Sequence, residues 1–105
     1  MQKEPGIEDA AQLFKVLGNG SRLWILLLLE DGARTVGTLA EETGMSQPLV
    51  SQYLRALRQA GLVRAVRTGK EAKYHVSDAH VTHLVADALA HVSESDRHES
   101  GKDLT

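Results

Sequence analysis

Four side chains in the last third of the chain have the donor chemistry of a metal site: Asp78, His80, His91 and Glu94. Imidazole nitrogen and carboxylate oxygen are first-choice ligands for a borderline cation such as zinc, and they also serve cobalt and nickel. All four lie in the stretch Ser77 to Glu94, where Val81, Leu84, Val85, Ala88, Leu89 and Val92 recur at i, i+3, i+4, i+7, i+8 and i+11. That recurrence is the apolar stripe of an amphipathic helix, and Ser77 or Asp78 is suited to cap its N-terminus. His91 and Glu94, three residues apart, are neighbours on one helical face. Asp78 and His80, two apart, would splay by about 200° on a regular helix and converge only if Asp78 sits at the non-helical cap.

The two pairs are eleven residues apart, which restores nearly the same azimuth but leaves a gap of about 16 Å. One ion therefore cannot touch both pairs of one helix. Two copies packed antiparallel across a two-fold axis would set the Asp78/His80 end of one against the His91/Glu94 end of the other, making two equivalent four-ligand sites. The residues alone leave a plainer reading open. Some of the five histidines in the chain can be ordinary exposed helix residues, and Asp78 can be fully employed as a cap.

A second kind of chemistry lies upstream. The net charge of −2 divides into −3 over residues 1–45, +5 over residues 46–76 and −4 over residues 77–105. Arg55, Arg58, Arg64, Arg67, Lys70 and Lys73 make a basic patch in which Glu71 is the only acid. Such clustering on an otherwise acidic chain is the footprint of a polyanion surface.

These side chains need elements to hold them. At 105 residues the chain makes one domain whose core is small for standing alone, so oligomerisation would help. Met1 to Pro5 reads as a loose arm, with residues 1–7 as a flexible lead-in to a domain at 8–94. Apolar residues from Glu8 to Leu17 predict a first helix, stopped by Gly18-Asn19-Gly20. Ser21 is the expected cap of a second helix ending at Glu30, apolar nearly all round and so expected to be the buried spine. Thr35 caps a third, Val36 to Thr43, ended by Gly44. Ser46 caps a fourth, Gln47 to Ala60, which tolerates Pro48 in its first turn. Gly61 breaks it, and Leu62–Arg67 and Lys73–Val76 read as strands of a hairpin around Thr68-Gly69-Lys70. Residues 95–105 have no apolar periodicity and are expected to be a disordered tail.

The third and fourth helices, joined by so short a turn, form a helix-turn-helix, and a hairpin straight after the recognition helix is a wing. The expected fold is therefore mainly α with a β-hairpin wing, in the order α-α-α-α-β-β-α. Gln47, Ser51, Gln52 and Arg55 lie on the exposed side of an acid-free fourth helix, where they can meet base edges and phosphates of double-stranded DNA. Arg67, Lys70 and Lys73 on the wing would lie on backbone or minor groove.

The chain resembles the ArsR/SmtB family of metal-sensing winged-helix repressors over roughly residues 10–94. The resemblance is carried by Phe14-Lys15-Val16-Leu17-Gly18-Asn19 with Ser21-Arg22, by Met45-Ser46-Gln47 with Val50-Ser51-Gln52-Tyr53-Leu54 and Leu57, and by Arg67-Thr68-Gly69-Lys70 leading to Tyr74. One branch of the family carries Asp-x-His, ten residues, then His-x-x-His or Glu in the last helix. That pattern stands here as Asp78, His80, His91 and Glu94. The resemblance implies a homodimer that binds operator DNA and is released when zinc, cobalt or nickel binds between the last helices. A second family site uses a cysteine pair near the third helix; Thr35 to Ala40 holds none here. Pro48 and Gln52 stand where many members have serine and histidine, so the operator is expected to differ.

Other function classes are disfavoured. The chain has no cysteine, which removes disulfides, thiolate ligands and cysteine nucleophiles together. It contains no His-Glu-x-x-His, no glycine-rich phosphate loop and no serine elbow, and a four-ligand tetrahedral site leaves no position for a catalytic water. The longest apolar run, Leu23 to Leu29, is too short to cross a bilayer, and without a leader the expected location is the cytoplasm. His83, His98 and Glu99 are further donors that would suit a six-coordinate nickel or cobalt site. The competing reading is a winged-helix regulator not controlled by metal.

Overall fold

Helix caps set most of the element boundaries. The computed structural model describes the backbone of residues 4–102 and the side chains of residues 4–94. Its elements are α1 (Ile7–Leu17), α2 (Gly20–Glu30), α3 (Val36–Thr43), α4 (Gln47–Gln59), β1 (Val63–Thr68), β2 (Glu71–Val76) and α5 (Ala79–Lys102). This is the expected order of five helices and a hairpin. Thr35 Oγ1 accepts from the Thr38 amide at 3.1 Å, and Ser46 Oγ accepts from the Leu49 amide at 3.3 Å. Each such cap satisfies an amide with no intrahelical partner and is worth about 1 kcal/mol. At α2 the cap is Asn19 rather than Ser21. Asn19 has extended backbone and its side chain accepts from Arg22 N at 2.9 Å, whereas Ser21 already lies inside the first turn.

α3 and α4 are joined by Gly44-Met45-Ser46. Gly44 holds φ at 76°, a left-handed turn that a residue with a Cβ adopts at a cost, and its amide closes α3 on the Ala40 carbonyl. The hairpin is antiparallel, in a register running from Val63 opposite Val76 to Thr68 opposite Glu71. Gly69-Lys70 forms its two-residue tip, with Gly69 at φ 65°.

The core is shared by nearly every element. Ile25 and Leu26 of α2, Leu39 of α3, Val50, Leu54 and Leu57 of α4, and Leu62 are all essentially inaccessible. Val81 and Val85 seat α5 against this core. The expectation that α2 is buried all round is corrected. Trp24 is 45% exposed, and Leu23, Leu27 and Leu28 are only partly covered, because a domain this small surrounds one side of a helix and leaves the other at the surface. Glu30 ends α2 with its Oε2 buried and without a hydrogen-bond partner among the described residues, and burial pushes its carboxyl above the ordinary value.

The backbone of α5 continues past residue 95 to Lys102. Ser95 to Ser100 lack an apolar pattern but contain no helix breaker, and the first glycine is Gly101. Helix propagation needs only ordinary formers such as Glu94, Arg97 and Glu99. Residues 1–3 of the expected arm, and residues 103–105, lie outside the described residues. Among the described residues, no helix is long and apolar enough to cross a membrane.

Candidate nucleic-acid interface and candidate metal centre

Gln47, Ser51, Gln52 and Arg55 are all exposed on α4, as is Arg58. At 100° per residue they occupy an arc of about 140° that begins next to the buried Leu54 and turns away from Val50 and Leu57. Proline in the first turn is tolerated because no helical hydrogen bond is lost there. Between α4 and the wing lies an open cleft lined by Ser51, Arg55, Arg58, Gln59 and Tyr74. The face is polar and cationic, without a carboxylate of its own.

The wing cations divide between two faces. Residues directly opposite in the ladder share a face, and successive residues alternate. The pairings Arg67 with Ala72 and Val66 with Lys73 therefore put Arg67 on the face that carries Ala65 and Tyr74, toward the α4 cleft. Lys73 lies on the opposite face with Arg64, and Lys70 stands at the tip. All three candidates are exposed, but they do not form one cluster.

One residue that sequence reasoning missed ties these parts together. The side chain of Arg34, 15% exposed, donates from Nε to Glu42 Oε1 of α3 at 2.6 Å. It also donates from Nη1 to the Leu28 and Gly32 carbonyls at the end of α2. Its backbone exchanges two hydrogen bonds with Tyr74 of β2, at 3.3 and 2.8 Å. Arg34 thus fixes the base of the wing to the first helix of the helix-turn-helix. The only local hint was an arginine placed in a loop beside Asp31, since Glu42 and Tyr74 meet it only in three dimensions. Arg22 acts similarly, donating Nε to the Val16 carbonyl at 2.6 Å and stacking 6.0 Å from the ring centre of Tyr53.

At the start of α5, Asp78 is the cap: its Oδ1 accepts from the His80 amide at 2.9 Å and the Val81 amide at 3.2 Å. The same oxygen lies 3.5 Å from His80 Nδ1. The non-helical cap therefore brings together the two side chains that a regular helix would separate. His91 and Glu94 lie three and four turns further along and are exposed. Within one protomer, no three His, Asp or Glu side chains converge among the described residues. His98 and Glu99 lie beyond the residues whose side chains are described.

The donor set, two imidazoles and two carboxylates, fits a zinc-like cation, and the exposed half-sites are open to completion by a second chain. The surface around them is apolar. A groove between α1 and α5 is lined by Phe14, Leu17, Gly18, Leu23, Leu84, Val85 and Ala88. Phe14 (57% exposed), Leu89 (46%) and Val92 (57%) extend it.

Comparison with known proteins gives this geometry its relatives. Residues 19–65 match the family described as bacterial regulatory protein, arsR family. The chain is 41% identical over 97 residues to the HTH-type transcriptional regulator NmtR of Mycobacterium tuberculosis, covering 88% of this chain and 81% of that protein. It is 39% identical over 88 residues to the HTH-type transcriptional repressor SmtB of the same species, covering 84% of this chain but 65% of SmtB. Among solved structures, the homodimeric winged helix-turn-helix DNA-binding domain from Mycobacterium bovis superposes with a TM-score of 0.82 at 35% identity, covering 90% of both chains. A recognition helix followed by a wing, on a chain this similar to NmtR over most of that protein's length, leaves one assignment: the chain belongs to the arsR family of bacterial regulatory proteins.

Proposed function

We propose that this chain is a transcriptional repressor that binds operator DNA as a homodimer and is released by zinc, or by cobalt or nickel, held between the C-terminal helices of two protomers. The observation that carries the metal reading is the cap at Asp78. It places a carboxylate and His80 side by side at one end of an exposed face whose other end carries His91 and Glu94. Neither pair is a site alone, and a two-fold antiparallel to α5 joins them. The apolar α1/α5 groove supplies the surface for that two-fold, and the Mycobacterium bovis domain is a homodimer.

On the DNA side, Gln47, Ser51 and Gln52 read base edges, while Arg55, Arg67, Lys70 and Lys73 neutralise phosphates. The dimer must hold its two α4 helices at a spacing that matches half-sites about one helical turn apart. A bound cation supplies a fixed electrostatic link between helices. Asp78 and His80 of one protomer, joined to the partner's His91 and Glu94, then fix the tilt of α5 against its copy and so the spacing of the recognition helices. By linkage, operator DNA weakens metal affinity by the factor with which metal weakens DNA affinity. His80 and His91 bind a metal only as neutral imidazoles, so protons compete with the cation for both.

The test is His91→Gln with operator affinity measured with and without zinc. The expected result is a folded dimer that binds DNA equally in both conditions. Undiminished zinc-driven release would remove His91 from the regulatory site. A second reading, a regulator not controlled by metal, is favoured by the fact that Asp78 is already satisfied as a cap. It requires that wild type, too, bind DNA equally with and without zinc.

A further inference from the structure

We propose a third cation site, on the two-fold axis of the dimer, formed by His83 and Asp87 of both protomers. It rests on the antiparallel pairing of α5 proposed above.

Taking His80 as zero and turning 100° per residue, His83 lies at about −60°, Asp87 at −20°, His91 at +20° and Glu94 at −40°. All five side chains are exposed and share an arc of about 80°. The buried Val81 and Val85 lie at about 100° and 140°. α5 therefore carries a continuous row of nitrogen and oxygen donors on a side distinct from the one it packs on its own domain. His83 and Asp87, four residues apart, stand one above the other on consecutive turns. Neither has a hydrogen bond or ion pair among the described residues, in contrast to Asp78 and His80, which touch each other.

The outer pairs locate the axis. Ala86 is midway between Asp78 and Glu94, so an antiparallel partner that closes the outer sites places the two-fold near Ala86. With a rise of 1.5 Å per residue, His83 then lies about 4.5 Å to one side of the axis and Asp87 about 1.5 Å to the other. The partner inverts this order, which puts His83 and the partner's Asp87 within about 3 Å of the same level. An arrangement that brings His80 to the partner's Glu94 cannot avoid bringing His83 to the partner's Asp87, because both belong to the same row.

The result is two imidazoles and two carboxylates around one axis, a donor set with the number and chemistry of a tetrahedral zinc site. Left empty, it would hold two Asp87 carboxylates close together, and a divalent cation removes that repulsion. Two rival arrangements use the same residues. His83 can reach the outer site one turn away as an additional ligand, or the axis can hold protonated His83 paired with the partner's Asp87 and no metal.

Stoichiometry separates them. The full-length protein would be titrated with Zn2+ against a chromophoric chelator, with the dimer confirmed by sedimentation. Wild type should bind three ions per dimer. His83→Ala and Asp87→Ala, both changes at exposed positions, should each bind two, with the affinity of those two unchanged. His91→Gln should bind one. Saturation of wild type at two ions overturns the central site. So does weaker binding of the two ions left in His83→Ala, which would make His83 an outer ligand. If His91→Gln keeps the wild-type count while His83→Ala loses one ion, the outer sites fail and the central site stands.

Discussion

α4 and α5 are both amphipathic helices with a capped N-terminus, yet one is finished within the protomer and the other is not. α4 buries Val50, Leu54 and Leu57 almost completely and offers solvent a mainly polar and cationic surface, with Leu49 its one exposed large apolar side chain. α5 buries Val81 and Val85 at its start, while Leu89 and Val92, further along the same apolar stripe, stay half exposed. The difference separates two kinds of partner. A finished helix with a charged face suits a polyanion, which needs no apolar surface. A helix with an uncovered apolar stripe, and a row of donors on another side, suits another protein surface, which in the proposed dimer is a second copy of itself.

The largest effect should come from breaking the unfinished side. Leu89→Glu puts a charge where the partner's apolar surface would lie, so it loses the roughly 1.5–3 kcal/mol of a buried leucine and adds the desolvation of a carboxylate. Sedimentation equilibrium should show a dissociation constant raised at least about 100-fold, with little change in protomer stability because Leu89 is exposed in the protomer. An unaltered dimer would mean that α5 ends at solvent. Leu54→Ala breaks the finished side instead. Truncating this buried side chain should lower unfolding free energy by about 2–5 kcal/mol, read as a lower denaturant midpoint.

Smaller changes sharpen the DNA side. Lys70→Ala should weaken all sequences alike and reduce the slope of log affinity against log salt by about one. Gln52→Ala should relax discrimination at one base pair by about 1–3 kcal/mol while leaving that slope intact. Identical behaviour of the two variants on mutated operators would erase the division between helix and wing. The smallest effect concerns Glu30, whose carboxyl burial pushes up. Its folded form holds a proton more tightly than the unfolded chain, so stability falls as pH rises from the unfolded value through the folded one. Glu30→Gln should therefore be more stable than wild type at pH 7, and the gain should shrink as pH falls through the raised folded value and be gone by about pH 4.5, a trend that thermal melts across pH will show.

Much of the fold was legible because short-range rules decided it. Thr35, Ser46 and Gly44 fix α3 and α4 through contacts with residues three or four positions away, and the α3 boundaries agree with expectation to the residue. Asn19 replaced Ser21 as a cap because either can be drawn from the sequence and only backbone conformation chooses between them. The end of α5, at Lys102, lies beyond the end of its apolar stripe. Loss of apolar periodicity shows where packing stops, not where helical hydrogen bonding stops. For the candidate sites, residue types and helical arcs could be read directly, including the convergence of Asp78 and His80 at a cap. The separation of Arg67 from Lys73 depends on strand register, and the clasp of Arg34 on residues from three elements. Neither is encoded locally.

That clasp has a consequence for how the wing loosens. An isolated two-stranded hairpin is marginal in water, but the paired backbone of Arg34 gives β2 a one-residue bridge at Tyr74, covering part of an otherwise bare edge. Opening should then be graded along the hairpin, fast at Gly69-Lys70 and slow toward the base. In amide hydrogen exchange, protection should rise from the tip and be greatest in the wing at Tyr74, so that the tip can adapt to a groove while its root keeps a fixed bearing on α3.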